Sequence, residues 1–342
     1  MGQFRGQPRL RLLRRLLIAL ALVAAPLLTM AGDWPTYMHD NQRTGASGDE
    51  TILSPSNAGQ LTKLWSFPTG GPIAAPAAVV SGAVYVGSWD GYEYALDAGS
   101  GALKWKTFLG KLSLPNCTPA QIGVSSGATV QNGVVYVGGG DNYWYALDAA
   151  TGGVLWKVYT GDSSASGGHY NWSSPLIYNG YAYIGIASEG DCPLVQGQLL
   201  KVPLGNYPAG SVVSPTATAN FVLAGQVGGG IWTSPTVDVA SNTIYVTTGT
   251  QAGTEPLAQA MVALDAGTLA VKDSWQIPPA QQVPDSDWGG TSNIFQDSTG
   301  TNIVVATNKD GYVYAFDRAN ISAGPLWQQQ IAYGGACPQC GQ

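Results

Sequence analysis

The chain has 342 residues, 11% of them charged against about 25% in typical soluble domains, while Gly (46), Tyr (17) and Trp (11) are abundant. Its formal charge is −6, and no basic patch follows residue 31, which excludes a phosphate-backbone partner on electrostatic grounds. His39 and His169 are the only histidines, and Cys337-Pro-Gln-Cys340 is the only Cys-x-x-Cys pair, which argues against a metal bound there.

Residues 1–31 read as a secretory signal. Arg5, Arg9, Arg11, Arg14 and Arg15 form a basic n-region, residues 16–30 are the apolar h-region, and Thr29-Met30-Ala31 looks like a small-residue cleavage site. The apolar run is too short for a membrane span. No cysteine lies near the cleavage region, so neither a span nor a lipid anchor is expected after processing. Arg14-Arg15 weakly resembles a twin-arginine signal. Removing the segment takes away five of the 15 basic residues and no acids, leaving 10 basic against 21 acidic, net −11. The expected location is periplasmic or secreted. Disulfides persist there, and of the three pairings four cysteines allow, the preferred one joins Cys117 to Cys192 and Cys337 to Cys340.

Residues 32–60 form a lead-in, and residues 61–342 repeat. VYVGSWDGYEYALD (84–97) returns as VYVGGGDNYWYALD (135–148) and VVATNKDGYVYAFD (304–317), with a looser copy at 244–250 and 263–265. Apolar residues alternate within each copy, and a Gly/Asp turn breaks it midway, which is the pattern of a β-hairpin. A period of this size marks a repeat architecture, and about 50 residues supply the four strands of a propeller blade. Aligning Asp97, Asp148, Lys201, Asp265 and Asp317 gives steps of 51, 53, 64 and 52 residues. The third unit is degenerate and the fourth carries an insertion.

The predicted fold is therefore all-β, a β-propeller of four-stranded antiparallel blades with about five blades visible. Inner strands are expected to start near Ala77, Gly127, Ser174, Ser234 and Ser292. Trp105, Trp156, Trp275 and Trp327 follow their anchors and are read as docking each outer strand on the next blade. Trp65 is read as an outer strand that opens the ring. With no closing strand after Trp327, the ring is expected to be incomplete, with C-terminal blades missing. The anchor Asp residues recur once per blade and are read as turn-closing.

The shared text, with DWPTYMHDNQRTG (33–45) before it, closely resembles the repeat of pyrroloquinoline quinone (PQQ) dehydrogenases and their non-catalytic relatives. The resemblance covers essentially all of residues 33–342. It implies PQQ over a tryptophan floor in a central channel, Ca²⁺ held by Glu and Asn, and an Asp acting as base. On the matching segments it places the calcium Glu at Glu189 (IGIASEG, 184–190) and the floor at Trp232 (GGGIWTSPTVD, 228–238). It puts the catalytic Asp at Asp287, with Asp285 second (VPDSDWGG, 283–290), and the cation beside the quinone at Lys309 (NKDGYVYAFDR, 308–318). The metal set becomes Glu189, Thr250 and Asp287. Thr250 departs from the family Asn and is a poorer ligand than an amide carbonyl. The adjacent Cys-Cys pair of many such enzymes, and the basic residue after it, are absent.

A hard cation takes oxygen ligands and polarises a carbonyl. A carboxylate accepts a hydroxyl proton, and an indole face supports a planar ring. The expected function is alcohol oxidation, on a small-molecule or polymeric alcohol such as polyvinyl alcohol. There is no c-type haem motif, so electrons would leave to an external acceptor. The alternative is a non-catalytic scaffold binding protein or polymer, as in outer-membrane assembly factors. If the enzyme reading holds, Glu189, Trp232, Asp287 and Lys309 converge near the channel.

Overall fold

The computed structural model describes residue 2 and residues 32–334 apart from 49, 250–254 and 284. Thr250, Cys337, Cys340 and all but one residue of the signal segment lie outside the described residues.

Apolar alternation yields strands where it is expected. The first blade consists of Ala78–Val80, Ala83–Gly87, Tyr92–Asp97 and Leu103–Phe108, paired in that order. The second consists of Thr129–Gln131, Val134–Gly138, Tyr143–Asp148 and Val154–Tyr159. The third pairs Leu176–Tyr178, Tyr181–Ser188, Gln198–Pro203 and Ala217–Asn220. The fourth comprises Thr236–Asp238, Thr243–Thr247, Ala260–Asp265 and Val271–Gln276, and the fifth Asn293–Gln296, Asn302–Thr307, Tyr312–Asp317 and Trp327–Gln330. All pairings within these sets are antiparallel.

Two blades exceed four strands. Ser211–Val212 adds to the second in parallel, and His169–Tyr170 adds to the third. A short ribbon, Leu112–Ser113 with Gln121–Ile122, lies between the first and second blades. Helical structure among the described residues amounts to two 3₁₀ turns, Ala58–Gln60 and Ile321–Ala323. Consecutive inner strands touch from the first blade to the fifth, so the sheets fan about one axis. The apolar core lies between them, as in the cluster of Tyr136, Trp144 and Trp156 with Ile177, Ile184 and Leu200.

The turns repeat their chemistry. Asp97 Oδ1 accepts from Ser100, Asp148 Oδ1 from Thr151, and Asp265 Oδ1 from Thr268, which closes each turn between the third and fourth strands. One anchor needs correction. Asp97 lies opposite Ala83 and Asp148 opposite Val134, the first residue of the second strand in each blade; in the third blade that partner is Pro203, opposite Tyr181. Lys201 is two residues early. A two-residue slip keeps every side chain on its own face, so alternation alone cannot detect it. Trp65 also differs: residues 61–69 join no ladder, although Trp65 Nε1 still donates to the Ala98 carbonyl at 2.9 Å.

The lead-in is an axial hub. Trp34 pairs with Val79, Val130 donates to the Pro35 carbonyl, Val237 to Asn41, and Ile294 to Gln42. Arg43 is fully buried, and its guanidinium donates to the carbonyls of Tyr37, Pro175 and Pro235 and to Thr36 Oγ1. With Asn41 Nδ2 donating to the Ile177 carbonyl at 2.8 Å, residues 34–43 meet the inner strands of all five blades. Next to this hub, hydroxyls stitch the blade starts together: Gly127 N to Ser174 Oγ, Ser174 N to Ser234 Oγ, and Ser234 N to Thr291 Oγ1, at 3.0–3.1 Å.

Candidate active site

One end of the channel gathers the segments that precede each inner strand and those that follow each second strand. Antiparallel pairing within a blade puts these two segments side by side. Trp232 precedes the inner strand of the fourth blade, Asp285 and Asp287 precede that of the fifth, and Lys309 follows the fifth blade's second strand.

These four meet. Lys309 Nζ lies 3.0 Å from both oxygens of Asp285 and 3.0 Å from Asp287 Oδ2. The same ammonium stands 5.3 Å from the Trp232 ring centroid, within cation–π range. Asp287 is pinned by its backbone, since Lys309 N donates to its carbonyl at 2.8 Å. A Cβ on Gly249 would stand 2.9 Å from Asp287 Oδ1, so any other residue there would press on that carboxylate.

A third carboxylate joins them. Oxygens of Asp191, Asp285 and Asp287 lie within 4.8 Å of one another, a group able to hold a metal ion. Asp191 was not legible in the sequence: it follows Glu189-Gly190 as an ordinary loop acid, and only the tertiary fold brings it to the pair from two blades away. Glu189 is not part of that group. It is fully buried, with neither carboxylate oxygen hydrogen-bonded.

The electrostatics follow from burial and crowding. Burial opposes the charge on Lys309, but Asp287 and Asp285 outweigh it and raise its pKa. Burial raises the pKa of Asp285, and Asp287 adds to this against the lowering effect of Lys309. Partial desolvation of its carboxyl raises Asp191 too, although the residue as a whole is exposed, and its bond from Ser188 partly offsets this. Glu189 is pushed up to about 7 by burial.

Two further tryptophans stand at equivalent places in other blades. Trp172 in WSSP holds the same place in the third blade as Trp232 in WTSP in the fourth. Its Nε1 donates to the Ser188 carbonyl at 3.0 Å, and Tyr170 packs on it edge-on at 4.9 Å. Tyr170 donates to Ser125 Oγ, which also accepts from Trp89 Nε1 at 2.9 Å. Trp89 occupies in the first blade the place of Lys309 in the fifth: both stand one residue before the Asp that binds the next strand's tyrosines. The repeated Trp-Ser/Thr-Ser-Pro text was the available signal.

Residues 49–206 match a PQQ-repeat family model described as outer membrane protein assembly factor BamB. The chain is 25% identical to a polyvinylalcohol dehydrogenase of Sphingopyxis sp. (strain 113P3), over 90% of this chain and 52% of that protein. It is 27% identical to the quinohemoprotein alcohol dehydrogenase of Comamonas testosteroni, over 84% of this chain and 45% of that one. A solved europium-containing methanol dehydrogenase superposes with a TM-score of 0.73 at 19% identity, over 89% of this chain and 59% of that one. The chain is a β-propeller that resembles these dehydrogenases in fold, with PQQ-type repeats matched over residues 49–206. It spans about half the length of the curated relatives it matches.

Within this propeller, the cysteines at 117 and 192 form the expected disulfide. It ties the loop between the two ribbon strands to the loop carrying Glu189 and Asp191. Among the described residues no helix is long and apolar enough to cross a membrane.

Proposed function

We propose that this propeller is the catalytic domain of an exported, PQQ- and calcium-dependent alcohol dehydrogenase. The convergence of Trp232, Asp285, Asp287 and Lys309 at one channel mouth carries this reading, and the alcohol dehydrogenases similar to the chain over most of its length support it. The residues suit the group. Buried Glu189 has two oxygens without partners, which a cation would satisfy, and the separate group of Asp191, Asp285 and Asp287 offers carboxylate donors, which suit a hard ion.

Glu189 and Asp287 would hold the cation, with Thr250 the third expected ligand, and the Trp232 face would support the flat quinone. When bound, the cation and quinone supply a polarised carbonyl that accepts hydride. Asp287 accepts the proton of the substrate hydroxyl. It suits that role better than Asp285, which presents both oxygens to Lys309 while Asp287 presents one. Lys309 keeps the acidic pair in place and supplies positive charge beside Trp232. The substrate is an alcohol, small or polymeric, and electrons leave to a separate acceptor in the periplasm or medium.

The test is dye-linked oxidation of a primary alcohol after loading with PQQ and Ca²⁺. Turnover by wild type, lost on Asp287→Ala with the fold intact, supports the enzyme. The family model's description keeps a second reading alive, a scaffold that binds protein or polymer through its rim. That reading expects no PQQ-dependent turnover from wild type.

A further inference from the structure

The loop carrying Glu189 and Asp191 is held both by its own bonds and by ties to other segments. Gly190 and Asp191 both have left-handed backbone, at φ 55° and 56°. A non-glycine residue there costs about 1–3 kcal/mol and persists only where its surroundings fix it. Asp191 is exposed, so packing does not fix it.

Three contacts do. Cys192 N donates to the Glu189 carbonyl at 3.0 Å and closes the turn. Ser188 Oγ donates to Asp191 Oδ1 at 2.6 Å. The disulfide from Cys192 to Cys117 then ties the turn to the ribbon loop, whose Thr118 carbonyl lies 3.5 Å from where a Cβ on Gly190 would stand. Of these, only the disulfide connects the loop to another blade's connection. The same loop buries Glu189 with both oxygens unpaired, a group that calls for a ligand.

We propose that Asp191 is a further carboxylate of the cation site and that the Cys117–Cys192 disulfide is its positioning element, so that thiol–disulfide chemistry sets the site's cation affinity. This rests on the cation reading given above. Reduction by a dithiol delivers two electrons and two protons to the S–S bond, leaves thiols at 117 and 192, and releases the reductant as its own disulfide. The turn then loses its covalent tether, and Asp191 is free to leave Asp285 and Asp287.

The experiment is a titration with Tb³⁺ alone, read as luminescence sensitised by the neighbouring Trp232. Oxidised wild type should bind, Asp287→Asn should weaken binding, and Asp191→Asn should weaken it roughly 10- to 100-fold, as losing a metal-site contact does. The Cys117→Ser/Cys192→Ser double variant should lose affinity comparably, and adding Asp191→Asn to it should cost little more. Dithiol-treated wild type should match the double variant and recover on reoxidation, which covers the case in which that variant fails to fold.

Wild-type affinity in a folded double variant and in reduced wild type overturns the clamp. Unchanged affinity in Asp191→Asn overturns its role as ligand. Oxidised wild type that gives no luminescence sensitive to Asp287→Asn overturns both this proposal and the cation reading beneath it.

Discussion

At the scale of single residues, charge without partners separates the site from the frame. Lys309 holds two aspartates at 3.0 Å while less than a third exposed. Removing its charge takes this cation from both carboxylates. Lys309→Met should therefore cost about 1–3 kcal/mol of stability, and Asp285→Asn in the same protein should recover part of it; urea melts of wild type and the two variants check this. Glu93 poses the opposite case. It is fully buried between the first and second blades, neither oxygen has a partner, and burial holds its pKa well above the usual range. A carboxyl whose folded pKa exceeds its unfolded value stabilises most below the unfolded value and loses that contribution as pH rises towards the folded one. Relative to Glu93→Gln, wild type should match near pH 4 and fall behind by about 1.4 kcal/mol per pH unit above the unfolded pKa. Parallel urea melts between pH 4 and 8 measure it, and a constant difference would show that Glu93 has an unseen partner. The sequence marks Glu93 only as an acid inside an alternating strand, where Trp144 stands in the next copy. Asp287, Asp285, Lys309 and Trp232 were legible because their segments match a repeat family's site text. Asp191 carries no such text, and its contact exists only in three dimensions.

At the scale of elements, turn and strand chemistry were plainest where they recur. Observed inner strands begin at Ala78, Thr129, Leu176, Thr236 and Asn293, within two residues of the expected starts. Repetition makes the signal, because each copy vouches for the others. Where a copy decays, the signal fails: Pro203 replaces the anchor Asp, and the pleat's two-residue period hid the slip to Lys201. The docking tryptophans behave as expected in the first blade, where Trp105 Nε1 donates to the Ala149 carbonyl of the second at 2.9 Å. Trp105→Phe should cost about 1–3 kcal/mol, since that carbonyl is left with only Tyr85, at 3.2 Å. The lead-in was legible as family text but not as an element, for its hydrogen bonds run to residues as far as 255 positions away. Arg43 is its centre, and burial lowers its pKa to about 10 without neutralising it. Arg43→Met should lower stability by at least about 3 kcal/mol by stranding several carbonyls at once. Arg43→Lys should recover only part, because an ammonium lacks the planar fork. A urea midpoint unchanged in Arg43→Met would mean that the hub bears no weight.

For the whole molecule, the fold explains why residues scattered over more than a hundred positions can share one site. Each blade offers two segments to the channel mouth, and chemistry is assembled by drawing one or two residues from each. The lead-in lies across the inner strands, while Trp232, Asp287 and Lys309 sit where those strands begin, so hub and site occupy successive levels of one axis. The central claim is that this mouth binds PQQ with a cation against Trp232. Equilibrium titration of the purified protein with PQQ in Ca²⁺, followed by tryptophan fluorescence, tests it most directly. The account predicts saturable quenching that is much reduced in Trp232→Leu and weakened in Glu189→Gln. Absence of saturable quenching in wild type, or quenching indifferent to both substitutions, would contradict it.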